Sequence, residues 1–315
     1  MAFGQPAFSS FLCCVSSSIG FSLFWRALDQ SLFSNAFSVS CIWFFFVQLI
    51  RLCWLPDLAF QGVYVIILYI GISLALALQF GFLSRLLMRF QFLTKPQMLF
   101  LSFLWVLLEW SRLHFFCGFA FNFVGLSLTA NLYSLQMASL FGVLGLSFWV
   151  ILSNLVCLKF FRAKTLSLAV CSAVMVVVPY VYGSIQLLFH KTRSLKADNA
   201  RVLLVQTQVT PSQKSPLSGR EKESISALAQ WRSLLKIVAQ YKEKSKDVIV
   251  FPEGALPWGF DEYVYPLETI KALFIEELGR QIEDSFPVNE SPFVRKGAAS
   301  NAFGFQTLAS FFQSA

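Results

Sequence analysis

Over its first 190 residues the chain carries nine Lys or Arg and three Asp or Glu, set between long runs of Phe, Leu, Val and Ile. A segment so poor in charge cannot present a solvated surface. Six of its runs are long and apolar enough to cross ~30 Å of hydrocarbon, which takes about 20 helical residues. They lie near 8–25, 33–50, 58–83, 97–113, 136–158 and 166–189, so residues 1–192 read as a polytopic α-helical membrane domain. Between 113 and 158 only His114 can carry a charge, yet the run is too long for one span. Part of it, around Cys117 to Asn131, is expected to be an apolar loop or re-entrant piece, which is tolerated at that depth only against protein or a water-filled cavity.

Residues 191–315 hold sixteen basic and fourteen acidic side chains, so most of the net charge of +8 belongs to the membrane half. There it reads as a topology signal. Arg26, then Arg85, Arg89 and Lys95, then Lys159, Arg162 and Lys164 fall on one side, against Arg51 and Arg112 on the other. The larger set marks the cytoplasmic face and puts Met1 and the tail outside. An outward N-terminus with no basic flank suggests an upstream helix absent from this chain, and no cleavable signal is expected. Nucleic-acid binding would need basic residues clustered on one soluble face with aromatic platforms, and is not expected here. The seven Cys (13, 14, 41, 53, 117, 157 and 171) sit in apolar surroundings without CxxC spacing. Neither a zinc site nor a redox pair is supported, and no metal or cofactor is expected.

The tail reads as α/β. Arg201 to Val205 is a short strand, Glu221 to Tyr241 aligns Ile225, Leu228, Leu235 and Val238 on a helical stripe, and Asp247 to Phe251 is a second buried strand. A second amphipathic helix aligns Leu267, Ile270, Phe274 and Leu278. This order is a βαβα start with parallel strands. Two strands cannot bury a sheet, and the apolar run Gly304 to Phe312 has no closing element, so residues 193–315 are expected to form an incomplete domain. The second strand delivers Glu253 into a Pro/Gly-rich turn, Phe251-Pro252-Glu253-Gly254. A carboxylate at the mouth of a buried strand is placed for general-base work if a nucleophile lies in reach.

At Phe251-Pro252-Glu253 the chain resembles the nitrilase (carbon–nitrogen hydrolase) superfamily. Val205-Gln206 through Gln213-Lys214 looks like the strand and loop that open the soluble domain of bacterial apolipoprotein N-acyltransferases. Glu109-Trp110-Ser111-Arg112, followed by Gly118-Phe119-Ala120-Phe121, is similar to that family's segment with Glu, Arg and a Gly-Phe-Pro-Trp loop. Here Ala120 and Phe121 stand for the Pro and Trp. The resemblance implies an incomplete nitrilase-like α/β domain, an αββα sandwich in complete members, on the periplasmic side of a bacterial inner membrane. It also implies acyl transfer from a phospholipid donor to a diacylated lipoprotein acceptor through a Glu-Lys-Cys triad. Glu253 would be the base. The Lys and Cys have no counterpart, since Lys271 lies in a helix, Lys296 in a polar loop, and no Cys follows Cys171. The chain by itself is therefore expected to be inactive.

Three further residues are candidates for substrate contact. Trp258, five residues past Glu253, would line an acyl pocket or serve as a core or interface aromatic. Glu109 and Arg112, at the outer end of a span, are spaced (i, i+3) to pair with each other. Ionisable residues within a span invite a functional reading, although an ion pair there also simply anchors a helix end. His114 beside Phe115 and Phe116 reads as interfacial packing. Two rival functions remain open at this stage: a membrane-tethered amidase, and a non-enzymatic membrane protein such as a transporter, which charges facing one another across spans would favour.

Overall fold

The computed structural model describes residues 9–30, 35–115, 118–194, 200–206, 209–210, 213, 224–241, 247–252, 255, 263–280 and 302–304. Glu253 and Trp258 lie outside them. The chain divides into two compact units at Ala197/Asp198. In the first, α1 (Ser10–Val15) runs through a π-helical turn at Ser16–Gly20 into α2 (Phe21–Gln30). There follow α3 (Ala36–Arg51), the short α4 (Leu58–Gln61), α5 (Tyr64–Met88) and α6 (Lys95–Phe115), then α7 (Leu132–Leu135), α8 (Ala138–Ala163) and α9 (Leu166–Ser194). Among the described residues, five helical stretches are long and apolar enough to cross a membrane: Ser10–Gln30, Tyr64–Met88, Lys95–Phe115, Ala138–Ala163 and Leu166–Arg193. The expected sixth, near 33–50, is the shorter apolar helix α3. At 1.5 Å per residue it extends about 24 Å, less than a full hydrocarbon thickness.

Aromatic rings hold α2, α3, α5 and α6 together. Phe80 of α5 stacks on Phe44 of α3 with centroids 4.5 Å apart and lies 5.4 Å from Phe21 and 6.2 Å, edge-on, from Trp105 of α6. All four side chains are buried, as is Trp25 of α2, whose indole donates to Ser84 Oγ at 3.0 Å. Apolar surface gains little by leaving lipid for protein, so close packing and internal hydrogen bonds must supply the association. Gly81 serves that packing, since a Cβ there would run into Cys41 of α3. Gly183 does the same for α9, whose backbone touches the Tyr133 carbonyl.

Asn154 of α8 explains the π-helical turn. Its Oδ1 accepts from Phe21 N and Ser22 N (2.9 and 3.1 Å), and its Nδ2 donates to Ser17 O and Val150 O (2.6 and 2.8 Å). A π turn disturbs the regular ladder and leaves backbone groups to be satisfied from outside. One buried carboxamide satisfies three of them. At the other end of the same two helices Arg162 makes a bidentate pair with Asp29, both contacts 2.7 Å, and reaches Phe90 O at 3.2 Å.

The second unit carries β1 (Val202–Leu204) and β2 (Val248–Val250), paired in parallel with Leu203 opposite Ile249, and joined through α10 (Ala227–Gln240). Ser226 Oγ caps α10 by accepting from Ala229 N. Of the expected helical stripe, Leu235 and Val238 are buried and Leu228 is partly so, while Ile225 lies before the helix begins; Trp231 and Leu234 complete the buried face, packed on Val205 and on Ile270, Leu273 and Phe274 of the second helix, α11 (Leu267–Leu278). A second strand pair was not anticipated: β3 (Tyr263–Pro266) runs antiparallel to β4 (Ala302–Gly304). Its strands are four and three residues long. Runs that short leave too little alternation to be told from loop.

Replacing Asn154 with Leu keeps the volume and removes all four hydrogen bonds. Each buried backbone group left unpaired costs about 1–3 kcal/mol, so the purified protein is expected to lose several degrees of melting temperature in detergent. An unchanged melting temperature would show that the π turn is stable without its clasp.

Candidate functional site

Residues 118–131 form the non-α-helical piece expected in the long uncharged run, with a 3-10 helix at Val124–Leu128. Phe123, Val124, Leu128 and Ser127 are buried, so this stretch lies against protein as an apolar loop at membrane depth must. Three side chains from three helices fasten it. Glu109 Oε1 of α6 accepts from Val124 N at 2.8 Å, at the N-terminus of the 3-10 helix, where a carboxylate meets free N–H groups. Ser147 Oγ of α8 accepts from Gly125 N at 2.9 Å. Gln48 Oε1 of α3 accepts from Asn122 Nδ2 at 2.9 Å. Asn122 takes a left-handed conformation (φ 62°), which Asn adopts more readily than most residues. Gly125 packs so closely on α8 that an added Cβ would stand 2.5 Å from Ser147 N and 2.6 Å from Val143 O.

Glu109 and Arg112 do not form the expected ion pair. Within 4 Å, the described ion pairs are Arg162–Asp29, Arg201–Asp247, Arg232–Glu276 and Arg232–Glu277. Glu109 turns instead to the loop backbone, while Arg112 Nε donates to Gln79 Oε1 of α5 at 2.8 Å. Its guanidinium stands 5.8 Å from the centroid of Trp105. The reason is the presence of better partners than a one-turn neighbour: a helix-start N–H for the carboxylate, and an amide oxygen plus an aromatic face for the cation. Trp105 and Ser147 also border the carboxylate, although Oε2 of Glu109 and Nε1 of Trp105 make no hydrogen bond.

Sequence reasoning missed the rest of this cluster. Gln48 and Arg51 lie one turn apart at the end of α3, and both are buried, at 2% and 3% exposure. Arg51 lies near enough to Glu109 and Arg112 to feel both charges. The signal was present: Gln48, Arg51 and Gln79 are polar residues within apolar helices, where such residues face the bundle interior. Charges from two spans do meet here, but in the last two turns of α6 and the last turn of α3, which makes a cluster at one end rather than a path across. His114 packs against Trp110 with the rings tilted and their centroids 4.3 Å apart, in keeping with interfacial packing.

Beside the cluster helices lies an apolar cavity of about 460 Å³, bordered by Phe103 and Val106 of α6 and by Leu140, Phe141, Leu144 and Phe148 of α8. Helix α8 breaks at its edge: Gly142 has φ 64° and ψ −163°, a region essentially reserved for glycine. Around the Pro252-Glu253 turn, Phe251 packs on Trp231 with ring centroids 5.9 Å apart and Pro252 O accepts from Ala255 N at 3.1 Å. No group of three or more metal-binding side chains occurs among the described residues.

Residues 2–156 match the family model of the apolipoprotein N-acyltransferase N-terminal domain. The chain is similar to the apolipoprotein N-acyltransferase of Chlamydia trachomatis serovar D, 30% identical over 277 residues that cover 84% of this chain and 48% of the relative. It is likewise similar to those of Chlamydia pneumoniae (28% over 282 residues, 85% and 49%) and Chlamydia caviae (26% over 275 residues, 85% and 49%). The chain thus spans about half the length of the curated relatives it matches.

Glu109→Leu is expected to release the loop, with amide exchange at Val124 and its neighbours rising about 10- to 100-fold, the worth of one hydrogen bond to a charged group. Glu109→Gln keeps an acceptor oxygen and should stay close to the unaltered protein. Equal exchange in all three proteins would mean that the loop is held by packing alone.

Proposed function

Since the chain belongs to the apolipoprotein N-acyltransferase family, matching its N-terminal portion, we propose that it serves the N-acylation of lipoproteins at a membrane. The observation that carries this reading is the joint match of membrane helices and the following α/β segment over most of the chain. In the proposed reaction a thiolate attacks the ester carbonyl of a phospholipid, and Glu253 takes the thiol proton. The lysophospholipid leaves as an alcohol carrying a proton, and the acyl chain stays as a thioester. The α-amine of a diacylglyceryl-cysteine then attacks that thioester, forming the amide and returning the thiol.

Several features support the membrane half of this scheme. The apolar cavity between α6 and α8 has a volume within the ~300–1,000 Å³ of small-molecule sites. Its lining suits an acyl chain, because the one indole N–H there, Trp149 Nε1, is spent on Met175 O at 2.9 Å. Glu109 acts in this proposal as a positioning residue that shapes the loop, and Arg112 as a cation available to a substrate headgroup. Trp258 is proposed to border the acyl chain near Glu253. The α/β unit is proposed to complete a nitrilase-like domain on the periplasmic face, with the Lys and Cys supplied from segments other than residues 172–315, which contain no Cys.

Two experiments test the proposal. Residues 1–315 in detergent with a phospholipid and a diacylated lipopeptide are expected to give no acyl-enzyme and no N-acylated product by mass spectrometry. When expressed with the thiol-bearing segment that the relatives' extra length accommodates, the protein should turn over, and Glu253→Gln should lower the rate about 10²- to 10⁴-fold by removing a general base. Near-normal turnover by that variant would reduce Glu253 to a structural carboxylate. Engineered cysteines in 86–96 and 191–200 should label from opposite sides of the membrane, and labelling from one side would overturn the orientation.

A further inference from the structure

Arg51 presents an anomaly that the loop clasp does not absorb. It is 3% exposed, its Nε is buried without a partner, and it makes no hydrogen bond or ion pair with any described residue. Arg112, 1% exposed, has one hydrogen bond, to a neutral amide, and no carboxylate within 4 Å among the described residues. Glu109 faces both guanidiniums, so one carboxylate stands against two cations, and its Oε1 is already committed to Val124 N. A buried charge left unpaired is strongly destabilising, and natural proteins retain one only with a counter-ion to meet it.

We propose that Arg51 and Arg112 together bind a phosphate-type oxyanion, supplied by the headgroup of a membrane phospholipid. Guanidinium forks match the paired oxygens of such groups and hold them bidentately, which a spherical anion cannot exploit. Both arginines sit in the last turn of their helices, α3 and α6, at the end of the bundle where headgroups rather than acyl tails lie. One added negative charge balances the cluster at two of each sign. Gln79 fixes Arg112 through its Nε and leaves the terminal nitrogens of that fork for the ligand. Acyl transfer enters only in making phospholipid the natural source of the anion.

The test uses the whole chain in nanodiscs built from a phosphate-free glycolipid, doped with dipalmitoyl phosphatidylglycerol, and read by native mass spectrometry. The unaltered protein is expected to retain one phospholipid. Arg51→Gln should weaken retention about 10- to 100-fold, as expected for loss of a charged hydrogen-bonding group, and Arg51→Lys should fall between. A parallel titration with inorganic phosphate, read by thermal shift, separates the two sources. A shift with phosphate but no retained phospholipid overturns the headgroup assignment. Neither signal in the unaltered protein overturns the site, whether or not Arg51→Gln folds, and so does full retention by that variant. Because binding needs no turnover, a chain that holds phospholipid yet never transfers an acyl group refutes the proposed reaction and leaves this site standing.

Discussion

A backbone N–H inside hydrocarbon has no water to turn to, and two departures from a regular α-helix in this bundle are met by side chains from other helices. The π turn before α2 is closed by Asn154, and the 3-10 segment after α6 by Glu109 and Ser147. These contacts decide the shape of the whole membrane unit. Asn154 shares the seating of the first helix on α8 with the Arg162–Asp29 pair, and Glu109 shares the hold on the apolar loop with Ser147 and Gln48.

Packing and polarity are divided along the bundle. Its middle is a stack of rings centred on Phe80, where interlocking surfaces set the spacing of α2, α3, α5 and α6. Charged groups are confined to the ends, Arg162 with Asp29 at one and the Arg51, Glu109 and Arg112 cluster at the other. The exposed pair of Arg201 and Asp247 in the α/β unit, with its 3.7 Å separation, belongs to a different class and contributes little, as surface pairs do. Burial is what gives the membrane charges their weight.

Much of this architecture was legible because hydropathy at the scale of 20 residues leaves few choices. The buried apolar loop followed from length alone, since an uncharged run of that extent exceeds one span. The parallel pairing of β1 with β2 followed from Leu203 and Ile249 lying in β-branched runs on either side of a helix. What sequence could not supply was the choice of partner. Glu109 and Arg112 are ideally spaced for each other, and only the arrangement of α3, α5 and the loop reveals that each has a stronger claim elsewhere. Arg51 was read as a marker of sidedness because a charge at a helix end is usually solvated. The three-residue β4 carries too little pattern to be seen at all.

Asn154 and Arg162 also impose an order on assembly. Each reaches back 133 residues to its partner in the first helix, Phe21 N for the one and Asp29 for the other. A ribosome adding ~5–20 residues per second takes on the order of ten seconds to make that stretch. Throughout that interval the span of α1 and α2 carries a carboxylate and several amides awaiting groups that have not been synthesised. The nascent chain therefore passes through a stage in which this helix can already pack its rings on α3, α5 and α6 while its polar groups stay unmet, and the arrival of α8 supplies their partners.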